Sequence, residues 1–186
     1  AIEDARLELS DKSSLYFLGH RLTLRRCTLI LRVPSARLHI NKRWMVDCAI
    51  EARTVLKNFQ WDKTHLKGCQ FKGRFIGNDF GHWPETPNEG SVEDCDFSEA
   101  HLEACRFLEC DLRTLRLPRW PCFTLLEAGG RASELGRVPW PGTKGPIIAG
   151  VLAKTPPEVR ALTYAAPELA KWCGTTQEAI GAVVEK

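Results

Sequence analysis

A 21-residue interval runs through the first half of this chain and limits the folds open to it. Cys27, Cys48 and Cys69 are spaced 21 residues apart. Other apolar positions repeat in phase with them, namely Leu29, Ile50 and Phe71; Leu24, Met45 and Leu66; Leu38, Phe59 and Phe80; and Ile40 and Trp61. Several columns that share one interval indicate a stacked, repetitive architecture.

A period of five residues lies inside the longer one. The large apolar residues from Glu89 onward are Val92, Phe97, Leu102, Phe107, Leu112 and Leu117, and two positions before them stand Gly90, Cys95, Ala100, Cys105, Cys110 and Leu115. A period of five fits neither the 3.6 residues of a helical turn nor the two-residue repeat of a strand. A square coil fits both intervals, because four sides of five residues make nearly 21. The sequence therefore predicts roughly five coils between about Leu22 and Leu117, stacked at ~4.8 Å by backbone hydrogen bonds.

Four consecutive units carry the pattern most clearly: Cys95-Asp-Phe-Ser-Glu99, Ala100-His-Leu-Glu-Ala104, Cys105-Arg-Phe-Leu-Glu109 and Cys110-Asp-Leu-Arg-Thr114. They resemble the pentapeptide-repeat family, whose units place a small residue two positions before Leu or Phe. The resemblance covers residues 54–117 well and 20–53 loosely. It implies a mainly β fold, a right-handed quadrilateral β-helix with distorted coils. We expect distortion at a slip near Phe71–Phe75, in the loop Gly81–Glu89 and in the irregular segment Val33–Val46.

The chain divides into two parts. Residues 1–120 are predicted to form the β-helix, with Ala1–Gly19 capping its first edge, because an open edge of stacked strands invites aggregation. Residues 121–186 are predicted to be a loop plus short helices that form a small α-helical C-terminal cap.

Helix signals near the C-terminus set the expected boundaries there. Thr155-Pro-Pro-Glu158 has the pattern of a capping box with an early proline, which predicts a helix to about Ala165. Pro167 restarts the helix, Gly174 ends it, and Thr175-Thr-Gln-Glu178 begins another. The terminal helix places Ala179, Ile180, Val183 and Val184 on one face. That face either covers the last coil or forms a homodimer or partner surface.

Charge is segregated along the chain. Thirteen basic residues between Arg21 and Arg74 face three acidic ones, a balance of +10, whereas nine acidic residues between Glu85 and Asp111 face Arg106 alone, a balance of −8. Mixed charges would be expected if the outward positions were only hydrophilic, whereas an acidic patch attracts a basic partner. The predicted partner-binding residues are Glu89, Glu93, Asp94, Asp96, Glu99, Glu103, Glu109 and Asp111.

The sequence carries no recognisable pattern for catalysis, a cofactor or a metal, so we expect a non-enzymatic protein. The eight cysteines occupy mostly small core positions. The five histidines are scattered; His65 and His101 occupy outward positions of their units and are expected at the surface, and only His82, beside Trp83 in the loop, stands out. No signal peptide is visible, and the apolar run Pro146–Ala153 is far shorter than the ~20 residues of a membrane span. We therefore predict a cytoplasmic protein with eight free thiols.

These observations favour a module that neutralises a basic protein partner. The resembled family includes immunity proteins against bacterial toxins and acidic DNA mimics that bind topoisomerase, and the first role suits a short rod with one acidic segment. The alternatives are a DNA-mimic topoisomerase partner, an architectural scaffold, or a nucleic-acid binder that uses the basic half. Nucleic acid is the less expected partner, because the basic half lacks exposed aromatic residues interleaved for stacking on bases.

Overall fold

The computed structural model describes residues 1–18 and 22–185. Gly19, His20, Arg21 and Lys186 lie outside the described residues. The expectations for Arg21 as the start of the basic half and for Gly19 as the end of the N-terminal cap therefore fall outside them as well.

Short strands dominate the chain. They are β1 (Ile2–Glu3), β2 (Arg6–Leu9), β3 (Tyr16–Phe17), β4 (Thr23–Arg25), β5 (Thr28–Leu31), β6 (Leu38–His39), β7 (Arg43–Val46), β8 (Ala49–Lys57), β9 (Thr64–Lys67), β10 (Gln70–Ile76), β11 (Asp79–Gly81), β12 (Ser91–Glu93), β13 (Asp96–Glu103), β14 (Cys105–Leu108), β15 (Cys122–Leu126) and β16 (Val159–Ala165). The helices are α1 (Ala132–Leu135), α2 (Gly145–Leu152), α3 (Ala166–Cys173) and α4 (Gln177–Val184). Single 3-10 turns lie at Ser35–Arg37, Trp61–Lys63 and Leu112–Thr114.

The strands stack into the predicted β-helix, which is confirmed. One face is a parallel five-stranded sheet in the order β1-β4-β7-β9-β12, and the adjoining face is a second one in the order β2-β5-β8-β10-β13. Four complete turns therefore separate β1 from β12. The count of roughly five coils is reached only when residues 1–18 are included, because β1, β2 and β3 pair in register with β4, β5 and β6.

The register confirms the 21-residue columns. Leu24 pairs with Met45 and Met45 with Leu66, and the next partner is Val92. The last step is longer because the segment after β11 forms the predicted loop. The slip near Phe75 is confirmed as a register shift between Gly73 and Phe75.

Aromatic rings fill the inside of the later coils. Trp61, Phe71, Phe75, Phe80, Phe97 and Phe107 are fully buried. The rings of Phe71 and Phe97 stack at 4.6 Å between centroids, and those of Phe80 and Phe107 at 5.1 Å. Stacked rings of successive coils bury large apolar surfaces, which is the main favourable term in a solenoid of this kind.

The predicted helix from Thr155 to Ala165 is wrong, because Val159–Ala165 forms strand β16. This strand pairs antiparallel with β14, the last strand of the coil, and with β15 on its other side. All five of its residues from Ala161 to Ala165 are buried. The capping pattern is a weak local signal, whereas the open edge of β14 offers a row of backbone hydrogen bonds and two buried faces.

The other helix boundaries follow the sequence more closely. Gly174 ends α3 in the left-handed conformation at φ 70°. The cap of α4 is Thr176, one residue later than predicted, and its side chain accepts a hydrogen bond from the Ala179 amide. Helices α1 and α2 lie within residues 121–186, which are predicted to be a loop plus short helices. Among the described residues, none of these helices has the length and apolarity needed to cross a membrane.

A second hydrophobic core holds the C-terminal part together. Phe107 and Ala161 belong to the core inside the β-helix, whereas Leu108 and Leu162 belong to the second core. The sheet of β14, β16 and β15 therefore separates the two cores. Ile180 of α4 is buried in the second core, and Val183 and Val184 pack against it. The apolar face of α4 thus serves the C-terminal cap, and the predicted homodimer through these helices stays a prediction.

Candidate protein-binding site

Four of the eight predicted partner-binding residues surround one groove. Glu93, Asp94, Glu109 and Asp111 line a surface groove of about 350 Å³ on the last coil, together with His82. We call these four carboxylates and the space between them the acidic groove. Glu93 ends β12 and Glu109 follows β14, so two sides of the same coil supply the groove.

Backbone geometry fixes two of these side chains at corners of the coil. Asp94 has φ 53° and Glu109 has φ 39°, both in the left-handed region. Asp94 continues a column of such corner residues that includes Arg26, Asp47 and Gly68. Left-handed residues turn the chain sharply, so the side chains at these corners project away from the coil.

Asp111 is held by its own turn. It accepts hydrogen bonds from the Arg113 amide at 3.0 Å and from the Arg113 guanidinium at 2.7 Å, and so caps the 3-10 turn Leu112–Thr114. The Arg113 side chain lowers the pKa of Asp111 from 3.8 to about 2. Asp111 is therefore ionised at any physiological pH, and Arg113 offsets part of its charge.

Several acidic side chains of the last coil, including Glu93 of the groove, are paired with basic side chains of earlier coils. Ion pairs of this kind join Glu89 to Lys42 at 2.9 Å, Glu93 to Lys67 at 3.3 Å, Glu99 to Lys72 at 3.1 Å and Glu103 to Arg74 at 3.1 Å. Asp96 lies 3.8 Å from Arg116, and its pKa is lowered by the Ser98 hydrogen bond. The two charged segments therefore neutralise each other in part where the coils meet.

Asp94 and Glu109 differ from the rest of the set. Within residues 1–18 and 22–185, neither carboxylate has a basic partner within 4.0 Å. Arg106, the one basic residue of the acidic segment, is occupied elsewhere, since it binds both oxygens of Asp79 at 2.7 and 2.6 Å. The acidic groove therefore keeps negative charge that the folded chain does not neutralise.

The remaining predicted residues do not join the groove. Glu89 lies in the loop before β12, and Asp96 and Glu99 lie along β13. Glu103 belongs to a different cluster, with Arg74, His101 and Glu168. The sequence prediction treated all eight residues as one surface, whereas the structure divides them among the groove, the loop and the two ends of β13.

The basic half carries an exposed aromatic ring, since Trp44 is 48% exposed, and Phe17, just before this half, is 67% exposed. Each ring stacks on a histidine of the next coil, Phe17 on His39 at 4.5 Å and Trp44 on His65 at 4.1 Å. The prediction that the basic half lacks aromatic rings interleaved for stacking on bases stays a prediction. The alternation of strand side chains could have revealed Trp44, because its neighbour Met45 points inward.

The cysteines line the inside of the β-helix. Cys27, Cys48, Cys69 and Cys95 occupy the same corner of successive coils, and each thiol hydrogen-bonds a backbone carbonyl, as Cys69 does with that of Met45 at 3.2 Å. Burial raises the pKa of the Cys105 thiol to about 12. All eight cysteines are free in the structure, and seven are buried. These thiols therefore act as small packing groups.

Comparison with known proteins adds no relative. Neither the family models, nor the curated proteins, nor the solved structures contain a match to this chain.

Proposed function

We propose that this chain is a non-enzymatic binding module that neutralises a basic protein, and that the acidic groove is the centre of its contact surface. The observation that carries the proposal is the pair Asp94 and Glu109, which share one groove with two further carboxylates and have no basic partner among the described residues. A lysine or arginine side chain of a partner would supply the missing positive charge.

The rigidity of the site supports this role. The groove residues lie on or beside strands of the last coil, whose backbone is fixed by pairing with β9 and β11. A preorganised site loses little conformational entropy on binding. Unpaired surface charge also speeds the encounter with an oppositely charged protein, and this effect weakens as salt rises.

Within this proposal we favour an immunity-type protein that acts on a basic, nuclease-like toxin in the cytoplasm. The resemblance to the pentapeptide-repeat family supports this choice by analogy, since that family includes such proteins. A DNA mimic needs a long acidic surface that imitates two phosphate backbones. Here most acidic side chains outside the groove are ion-paired, which makes mimicry of DNA the weaker candidate.

The test begins with affinity capture from the source cell, with the captured protein identified by mass spectrometry. Association of that purified protein is then measured with Asp94→Asn/Glu109→Gln and with a control, Glu3→Gln/Glu8→Gln, which removes the same charge from ion-paired carboxylates far from the groove. The substituted carboxylates of both variants are exposed, so neither variant should lose the fold. We expect the groove variant to lose at least tenfold in association rate at low salt, and the control to stay within twofold. Equal behaviour of the two variants would contradict the proposal.

A second candidate is single-stranded nucleic acid bound to the basic half. The exposed ring of Trp44, beside Lys42 on a shared surface, favours it, because bases stack on such rings. Fluorescence anisotropy with a labelled oligonucleotide, measured for the native protein and for Trp44→Ala, tests this candidate. We expect no binding tighter than ~1 µM at physiological salt, the strong end of the non-specific range. Tighter binding that depends on Trp44 would favour the second candidate over the first.

A further inference from the structure

Helix α2 is apolar on every side, although part of it faces solvent. Its sequence, Gly-Pro-Ile-Ile-Ala-Gly-Val-Leu, contains no polar side chain. Ile148 and Leu152 are buried in the second core, whereas Ile147 and Val151 on the outer side are 54% and 52% exposed. Surface helices normally carry polar residues on the outer side, and a helix that is apolar all round is normally buried. The outer side of α2 therefore has the composition of a covered surface.

The exposed apolar surface continues from α2 to the end of α3. Trp172 is 43% exposed and lies beside the start of α2, since the Lys144 ammonium is 5.3 Å from the centre of its ring. The Lys144 amide also donates a hydrogen bond to the Cys173 carbonyl at 3.2 Å, which holds the two helix ends together. Exposed apolar groups that adjoin one another mark a contact surface, whereas single ones do not. We call Ile147, Val151 and Trp172 the apolar patch.

Lysines stand at both ends of α2. Lys144 directly precedes the helix, and Lys154 follows it after one residue. The chain has three basic residues and no acidic one between Glu134 and Glu158, the third basic residue being Arg137. Within residues 1–18 and 22–185, neither lysine ammonium has a carboxylate within 4.0 Å. A surface that fits the apolar patch therefore combines apolar groups with negative charge.

We propose that α2 lies flat on an anionic lipid bilayer. The apolar patch sits at the boundary between headgroups and acyl chains, and Lys144 and Lys154 contact lipid phosphates. Lysine, tryptophan and large aliphatic side chains are typical of helices that lie in this boundary. The eight residues of α2 are only ~12 Å long at ~1.5 Å per residue, so the helix is too short to cross a hydrocarbon core of ~30 Å.

A second copy of the chain fits the apolar patch less well. Two α2 helices that pack antiparallel about a twofold axis bring Lys144 of each copy toward Lys154 of the other, and like charges repel. An anionic bilayer attracts both lysines, and each lysine near such a surface strengthens binding by about fivefold. The proposal does not involve the acidic groove and is independent of the proposed function.

Co-sedimentation with lipid vesicles measures this binding. At low salt, we expect the native protein to bind vesicles of equimolar phosphatidylcholine and phosphatidylserine at least tenfold more tightly than vesicles of phosphatidylcholine alone. Ile147→Ser/Val151→Ser should weaken binding to the mixed vesicles at least tenfold, because it removes the side chains that enter the bilayer. The matched control Leu15→Ser/Phe17→Ser removes similarly exposed apolar side chains from the first coil and should change binding less than twofold.

A second pair of variants tests the charge. Lys144→Gln/Lys154→Gln should weaken binding to the mixed vesicles at least tenfold, and binding of the native protein should weaken as salt rises. The control Lys12→Gln/Lys57→Gln removes the same charge from exposed lysines of the β-helix and should change binding less than twofold. Equal losses in the two variants would assign the binding to general positive charge and would overturn the proposal.

Three further outcomes would overturn it. One is a native protein that does not bind the mixed vesicles, and another is unchanged binding in Ile147→Ser/Val151→Ser. The third is a native dimer, seen by sedimentation velocity, that this variant converts to a monomer, because a second copy would then cover the apolar patch. All the substituted side chains are exposed, so circular dichroism should show every variant folded. If the serine variant does not fold, the lysine variant and its control decide.

Discussion

At the scale of single residues, the interior of the coil tolerates little change. Phe97 is fully buried, and its ring contacts those of Phe71, Phe80 and Phe107 at 4.6, 5.0 and 5.1 Å between centroids. Phe97→Ala should therefore lower the free energy of unfolding by ~3–5 kcal/mol. Phe17→Ala, at an exposed position, is the matched control and should cost less than ~1 kcal/mol. Urea unfolding measures both, and equal losses would contradict the inward assignment of Phe97.

Gly68 gives a second residue-scale prediction, because its left-handed conformation and the nearby Asp47 side chain both disfavour a Cβ at this position. Its φ is +63°, and a Cβ there would lie 2.2 Å from Asp47 Oδ1 of the preceding coil. Gly68→Ala should destabilise the protein by ~1–2 kcal/mol, the usual cost of a left-handed residue with a side chain. Gly150→Ala, in a helix with open space around it, should instead stabilise by about 0.5–1 kcal/mol. Thermal melts of the two variants should shift in opposite directions.

At the scale of elements, Asp111 links charge to the 3-10 turn Leu112–Thr114. The Arg113 hydrogen bonds lower the pKa of Asp111 from 3.8 to about 2. A depressed carboxylate pKa means that its contribution to stability is present above pH ~4 and is lost as the pH falls through about 2. NMR titration should place the Asp111 midpoint near 2, and Arg113→Gln should move it back toward 3.8. A native midpoint near 4 would show that the turn does not hold the carboxylate.

At the scale of the whole molecule, the burial of the cysteines predicts their redox state. Seven of the eight cysteines are buried, and six of these seven belong to the two hydrophobic cores as small packing groups. Thiol titration of the denatured protein, purified without reductant, should approach eight free thiols. Recovery of only two or four would indicate disulfides, and with them an exported protein in place of a cytoplasmic one.

The sequence by itself determined the coil, because its cause is local. A five-residue alternation of small and large apolar side chains can be buried only by turning the chain at every unit. The columns Leu24, Met45 and Leu66, the slip near Phe75 and the loop before β12 were therefore all readable in advance. The end of α3 at Gly174 and the start of α4 near Thr176 could also be predicted from the sequence, since capping depends on a few neighbouring residues.

The tertiary structure decided what depends on distant partners. Val159–Ala165 carries a helix-start signal, but the edge of β14, some 55 residues earlier, makes it a strand. Glu93 and Asp94 are adjacent and equally acidic in sequence, yet only Glu93 meets a lysine, because stacking brings Lys67 to it across the coil boundary. Glu168 meets His101 of β13 because the C-terminal part packs against the coil. Periodicity sets which way a side chain points, but only the stacking of coils sets which side chains it meets.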